Sequence, residues 1–401
     1  MASSDVRSRQ QRNRNRKTNV NRNAGNSEVR PEPKITRKIG HIDTTFLILL
    51  LMILTVGTVM LFSASSVYAD HYRGDSFYYI KKQIQFIVLG LIAMYILSLI
   101  DYRYWEKLTW PIYFAAMGLV ALAIIMNWGD SIKRWIYLGP FQFQPSEIAK
   151  FALILAVSNL IIKFGDKKMH TLKYGVLYIG AAAAPLVGLV LGTSHLSATI
   201  LLLGITATIM LVGGTQLRWF ILAAIVAAVG VYMIIYTDLI SYSGERIELW
   251  LDPFNVEAGY QTKQSLLAIS SGGVLGMGLG NSRQKYLYVP EPQNDFIFSI
   301  VCEELGFVGA TIIILMFCLL IWRGFTIAMR SADVFGSLIT VGIIGQIALQ
   351  TFLNIAVVTN TIPNTGISLP FFSAGGTSLI VLLAEVGIVL SVSRHSRVDK
   401  S

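Results

Sequence analysis

Charge is what this sequence has least of. Only 14% of its 401 residues are Asp, Glu, Lys or Arg, against about 25% in an ordinary soluble domain. With 54% hydrophobic residues, a chain this long carries more apolar surface than one water-soluble core can hide. A soluble globular enzyme is excluded. Cysteine is nearly absent too: Cys302 and Cys318 are the only two. They lie on one predicted helix, about 24 Å apart at the usual rise per residue, too far to bridge each other. No disulfide framework follows. The sequence shows no repeat of fixed period and no His/Asp/Glu cluster at metal-ligand spacing. The string Gly276-Met277-Gly278-Leu279-Gly280 lacks the preceding strand and βαβ unit that a dinucleotide loop requires.

Long apolar runs are what the sequence has in abundance. They fall near residues 44–67, 83–100, 108–127, 146–163, 174–192, 196–213, 217–236, 296–322, 335–357 and 374–393, each close to the length that crosses a hydrocarbon core of about 30 Å. The pattern predicts an all-α polytopic membrane protein with about ten transmembrane helices. A large extracytoplasmic loop, residues 237–295, joins helices 7 and 8. Residues 1–43 form a disordered, basic cytoplasmic tail, residues 44–394 the membrane domain, and residues 395–401 a short cytoplasmic tail. The first run exceeds a signal-peptide core and reads as an uncleaved anchor.

The net charge of +10 is not a nucleic-acid footprint: eleven of the 33 Lys and Arg residues fall in residues 1–43. That tail has too few large apolar side chains to fold alone. With ten spans, 23 Lys and Arg fall on the side of the termini and 9 on the other, with Lys150 inside a span. The excess puts both termini in the cytoplasm. The long segments 128–145, 237–295 and 358–373 then face outward, and structured outer loops between short inner ones point to chemistry on that face.

Three stretches carry that chemistry. "SIKRWIYLG" sets Lys133 and Arg134 beside Trp135, an arrangement suited to interfacial anchoring or to holding a pyrophosphate against a sugar. "QPSEIAK" opens the fourth span. Its Glu147 and Lys150 share a helix face, so Lys150 can pair with the carboxylate or meet an anionic headgroup. The large outer loop holds a predicted short helix in "GYQTKQSLLAISSGG", then a flexible glycine-rich turn. Its cations are Arg246, Lys263, Arg283 and Lys285. The loop closes on "PEPQNDFIFS", where Asp295 precedes a span containing Glu303 and Glu304. A carboxylate there can cap the helix or act as a general base at the membrane surface. Glu303 and Glu304 must face protein or water, be protonated, or pair with a cation.

"KRWIYLGPFQFQPSEIAK", "GYQTKQSLLAISSGG", "PEPQNDFIFSIVCEELGFVGA" and "ISLPFFSAGGTSL", in this order, resemble the SEDS family (shape, elongation, division and sporulation), which includes FtsW, RodA and SpoVE. The resemblance covers about residues 44–394, and the basic tail looks more like FtsW or SpoVE than RodA. It implies a ten-helix peptidoglycan glycosyltransferase. Such an enzyme polymerises lipid II on the outer face of the cytoplasmic membrane, alongside a class B penicillin-binding protein and other divisome or elongasome membrane proteins. It makes Asp295 the essential acid and matches Trp135 and Lys150 to motif positions. Glu147, Glu291, Ser373, Gly375 and Gly376 of the same motifs join the candidate substrate contacts. Lys133, Arg134, Lys150, Arg246 and Lys263 are the candidate pyrophosphate partners. A divalent cation, Mg²⁺ or Mn²⁺, recruited by Asp295 and substrate phosphates would assist. Two positions depart from the family pattern: His195 stands where aspartate is common, and Ala374 where tyrosine is usual. The rival readings are a lipid II flippase, with Lys150, Glu303, Glu304 and Glu385 along its passage, and a non-catalytic divisome scaffold.

Overall fold

The computed structural model describes residues 40–129, 133–138, 141–225, 250–254 and 259–396. The predicted tail (1–43), the second half of the seventh run and Arg246 fall largely or wholly outside these residues. The helices from residue 40 onward pack as one unit.

Eleven labelled helices and one small hairpin make up the described fold. They are α1 (Thr44–Arg73), α2 (Tyr78–Leu99), α3 (Tyr104–Met126), β1 (Ile136–Leu138), β2 (Phe141–Phe143), α4 (Pro145–Phe164), the single turn α5 (Asp166–Met169), α6 (Ile179–Gly192), α7 (Leu196–Val212), α8 (Tyr260–Gly272), α9 (Ile297–Met329), α10 (Val334–Val358) and α11 (Thr377–Arg394). A π-helical turn, Lys173–Tyr178, leads into α6, and residues 217–225 are also helical. Among the described residues seven helices are long and apolar enough to cross a membrane: α1, α2, α3, the Lys173–Gly192 stretch, α9, α10 and α11. α4 carries Glu147, Lys150 and Lys163, and α7 has only 17 residues.

The helix ends follow local chemistry. Asp43 caps α1 by accepting from Phe46 N at 3.0 Å. At the other end Gly74, with φ of 66°, lets α1 run six residues past its apolar stretch before the left-handed turn stops it. Pro145 sits at the first position of α4, where its missing N–H costs nothing.

α4 and α10 lie at the centre. Fourteen of the twenty residues of α4 are buried, and most of α10 is too. A helix apolar all round belongs in a core. α4 packs against α3, α7 and α10, α9 against α1, α8 and α10, and α11 along α2. α2 and α3 bury few residues, as suits helices that face lipid.

α9 is not one straight helix. Gly306 breaks it with φ 66° and ψ −170°, a region essentially reserved for glycine. The freed backbone groups find partners in the glycine-rich stretch. Met277 N and Gly278 N each donate at 3.0 Å, to Glu303 O and Glu304 O, while Phe307 N and Val308 N donate back to Gly273 O and Val274 O. A methyl group on Gly306 would lie 2.2 Å from Gly276 N. The turn expected to be flexible is therefore docked backbone-to-backbone on a span, because a helix break in a bilayer must be satisfied by protein.

Glu303 and Glu304 also face this stretch. Glu304, fully buried, pairs with Lys285 Nζ at 3.1 Å and accepts from Ser63 Oγ at 2.7 Å. Glu303 accepts from Ser282 Oγ and from Arg283 N at 3.0 Å. Lys285, a loop cation in the sequence, is committed to this internal pair.

Candidate functional site

The ends of α4, α7, α9, α10 and α11 that lie together, with the hairpin, surround a cavity of about 200 Å³. Arg134, Trp135, Glu147, Lys150, His195, Glu291, Asp295, Gln350, Ser373 and Gly375 are among its lining residues. A second cavity of about 290 Å³ adjoins it, lined by Trp250, Gln261, Thr262, Asn360, Asn364 and Thr365. Arg134, Asp295 and Gly366 border both.

Asp295 thus stands between two spaces. Helix α9 begins at Ile297, and its N-cap residue is Phe296, with no side-chain cap bond. Capping, one of the two readings of Asp295, is not what it does here. The turn preceding the helix is closed by Asn294 N donating to Glu291 O at 3.0 Å. Gly366, at φ 71°, approaches so closely that a methyl group there would lie 3.2 Å from Asp295 Oδ2.

The backbone around Asp295 is tied to the 358–373 segment. Asn354 Nδ2, buried on α10, donates to Asp295 O at 2.7 Å and to Ile367 O at 2.6 Å. Ser373 Oγ donates to Asn294 O at 2.7 Å, and Ala374 N donates to Gln293 O at 2.9 Å. Sequence reading missed Asn354; a lone amide within an apolar run was the available signal. Asn354→Leu keeps the size of the side chain but strands two buried carbonyls. It is expected to lower turnover by about ten- to a hundredfold, since small misplacements of a reacting group cost that much, while the protein still purifies as a folded monodisperse species. Unchanged turnover would show that the bridge does not position Asp295.

Burial lifts the Asp295 carboxyl to about 6, against the pull of Arg134, and Glu291 adds to the rise. Part of its surface stays open to the cavities, although protein encloses most of it. The His195 imidazole is held down to about 3 by burial and by the charges of Arg134 and Lys150. Lys150, 1% exposed, pairs with Glu147 at 2.9 Å. Both groups still border the cavity, so the ion pair is part of its wall. Arg134 Nε is buried without a protein partner.

Of the residues singled out in the sequence, Trp135, Arg134, Glu147, Lys150, Glu291, Asp295, Ser373 and Gly375 meet at the first cavity. Gly376 is the N-cap residue of α11, beside the cavity. Lys133 lies over the Trp128 ring and Lys263 over the Phe254 ring, and neither is among the described residues lining these two cavities. His195 and Ala374, the two departures, both line the first. Trp250 went unassigned in the sequence. Its indole donates to Asn360 O at 3.0 Å, which holds the ring at the second cavity. Among the described residues no group of three or more His, Cys, Asp or Glu converges as a metal cage.

Comparison with known proteins gives a consistent picture. A family model of FtsW, RodA and SpoVE, described as "Cell cycle protein", matches residues 43–398. The chain is 38% identical over 368 residues to stage V sporulation protein E of Bacillus subtilis (strain 168), covering 90% of this chain and 100% of that one. It is 38% identical over 367 residues to the probable peptidoglycan glycosyltransferase FtsW of Geobacter sulfurreducens (strain ATCC 51573), covering 89% and 96%. Among solved structures, a chain of a peptidoglycan synthase complex superposes with a TM-score of 0.76 at 28% identity, over 88% of this chain and 98% of that one. The rod shape determining protein RodA of Thermus thermophilus superposes with a TM-score of 0.65 at 26% identity, over 89% and 98%.

Proposed function

The chain belongs to the FtsW, RodA and SpoVE family, and from that premise we propose that it is a peptidoglycan glycosyltransferase acting on lipid II. The observation that carries the chemistry is one half-buried carboxylate, Asp295, that borders both of two adjoining cavities.

The two cavities differ in character. The first holds Arg134 and Lys150, the charges a pyrophosphate needs. Beyond the Arg134 and Asp295 that it shares with the first, the second offers amides, hydroxyls and the Trp250 ring, a lining suited to an uncharged sugar. In this reading the donor's pyrophosphate lies in the first and the acceptor sugar in the second. Asp295 takes the proton of the acceptor hydroxyl as its oxygen attacks C1 of the donor. The C1–O bond to pyrophosphate breaks, and Arg134 and Lys150 stabilise the departing charge. The α-linked donor gives a β link, with inversion. The leaving group needs charge stabilisation rather than a strong acid, so one carboxylate suffices. Asp295 and Glu291 border the same cavity and would be the residues to hold a Mg²⁺ or Mn²⁺, which would supply further charge neutralisation.

The strained backbone gathers here as well. Ser194, Glu291, Asn360 and Phe371 have positive φ, and each lies in or beside a segment that borders these cavities. Such strain costs about 1–3 kcal/mol per residue and tends to mark working sites.

A class B penicillin-binding protein in the cytoplasmic membrane is the proposed partner. The similarity to a chain of a solved peptidoglycan synthase complex supports it. The purified chain with that partner, given lipid II and a divalent cation, is expected to produce glycan polymer. No polymer, together with lipid II translocation in vesicles, would favour the flippase.

The raised carboxyl has a pH consequence. Asp295 works as the anion. With the group at about 6, the anion dominates at pH 7 and is lost as pH falls through 6. The rate of polymerisation should drop about tenfold per pH unit below that point. Glu291 raises the group, so Glu291→Gln should move the acid limb to lower pH. A limb that stays in place in that variant would separate Glu291 from the base.

A further inference from the structure

We propose that His195 is a third donor to the phosphate oxygens of the bound substrate, acting as a neutral imidazole through Nε2–H. His195 is the N-cap residue of α7, set on the turn after α6 where Ser194 has φ 58°. It is 8% exposed and borders the first cavity beside Arg134 and Lys150.

The protonation pattern follows from its neighbours. His195 Nδ1 lies 3.1 Å from Gln144 Nε2 and 3.5 Å from Ser146 Oγ. An amide nitrogen only donates, so Nδ1 accepts and carries no proton. Burial and two nearby cations disfavour a charged ring. The single proton of the neutral ring therefore sits on Nε2. Among the described residues nothing accepts from Nε2. With Nδ1 fixed on Gln144, the opposite ring edge presents that N–H to the cavity.

The ligand chemistry follows from the surroundings. A donor beside Arg134 and Lys150 suits an anionic oxygen, and a phosphate offers several. A neutral donor also protects the base. A third positive charge in this cavity would pull the Asp295 carboxyl below the range in which it can take a proton. An imidazole held neutral adds a hydrogen bond without that penalty. Nothing in the sequence motif signals this, because the tautomer is set by Gln144 from another segment.

The proposal rests on the pyrophosphate placement above, and its test separates the two. Gln at 195 puts an amide N–H₂ near the position of Nε2, whereas Asn puts one near Nδ1. Binding of inorganic pyrophosphate to the full chain, read by tryptophan fluorescence, needs no catalysis. Polymerisation of lipid II by the chain with its partner is measured alongside. His195→Ala and His195→Asn should weaken pyrophosphate binding and slow polymerisation about ten- to a hundredfold, the size of a hydrogen bond to a charged group. His195→Gln should stay within about threefold of wild type in both, by the same reasoning. The ¹⁵N spectrum of labelled histidine should contain a neutral Nε2–H signal that His195→Gln removes. Wild-type binding in His195→Ala, rescue by Asn rather than Gln, loss in all three variants, or a protonated Nδ1 would overturn the assignment. Pyrophosphate that fails to bind wild type would overturn it together with the placement of the donor. Normal polymerisation by Asp295→Asn, with the His195 pattern intact, would remove the base and leave this inference standing.

Discussion

Asp295→Asn is expected to abolish glycan polymerisation while making the protein more stable. The activity loss should be on the order of 10²–10⁴-fold, the usual contribution of a general base. Among the described residues no other carboxylate borders both cavities. The stability gain follows from the sign of the shift. The folded carboxyl sits at about 6, above its ordinary value of 3.8. The folded state thus binds the proton more tightly than the unfolded state. Its stability falls as pH rises through this window and stays lower at pH 7. A carboxamide of the same shape removes that penalty, of order 1–3 kcal/mol. Activity and thermal stability measured on one preparation decide the matter. Polymer at the wild-type rate would sink the base assignment. Lost activity with a lower melting temperature would point to misfolding instead.

Gly306→Ala should produce the largest structural effect. A methyl group there would lie 2.2 Å from Gly276 N and 2.7 Å from Val274 O, and both obstacles are backbone. The φ of 66° with ψ of −170° is itself costly for any other residue. Relief requires undocking residues 273–278 and losing four backbone hydrogen bonds across the break. Net bond energies and strain together reach on the order of 4–8 kcal/mol, a large part of what holds a domain folded. The variant is expected to accumulate poorly, or to melt about 10 °C or more below wild type, with new protease cleavage between 273 and 289. Gly118→Ala is the control, because nothing lies within 4 Å of the added methyl. Equal melting temperatures for the two variants would show that the docked turn contributes little.

The limits of the sequence are instructive residue by residue. Apolar runs revealed most spans, because hydrophobic length is a local property. Even so, "EELGFVGA" reads as continuous helix, and only the close approach of Gly276 to Gly306 shows why the chain must break there. Asp295 stood out by its place at the end of a loop and by its motif. What surrounds it did not. Asn354 lies 59 residues away along the chain and reaches the Asp295 backbone, and Trp250 is held against Asn360 across 110 residues. Such contacts leave no spacing to read. Charge left the partners of each cation unread: Lys285 pairs with Glu304 and Lys133 lies over the Trp128 ring.

The docked turn also bears on how the chain is made. Residues 272–278 and 303–308 are about thirty positions apart, close enough to meet soon after synthesis, since contacts of short separation form early. A span released into lipid with its interior break unpaired would expose carbonyls and amides at several kcal/mol each. The turn that satisfies them is translated just ahead of it. The partner of the break is thus made before α9 itself, so that docking can accompany the insertion of the span.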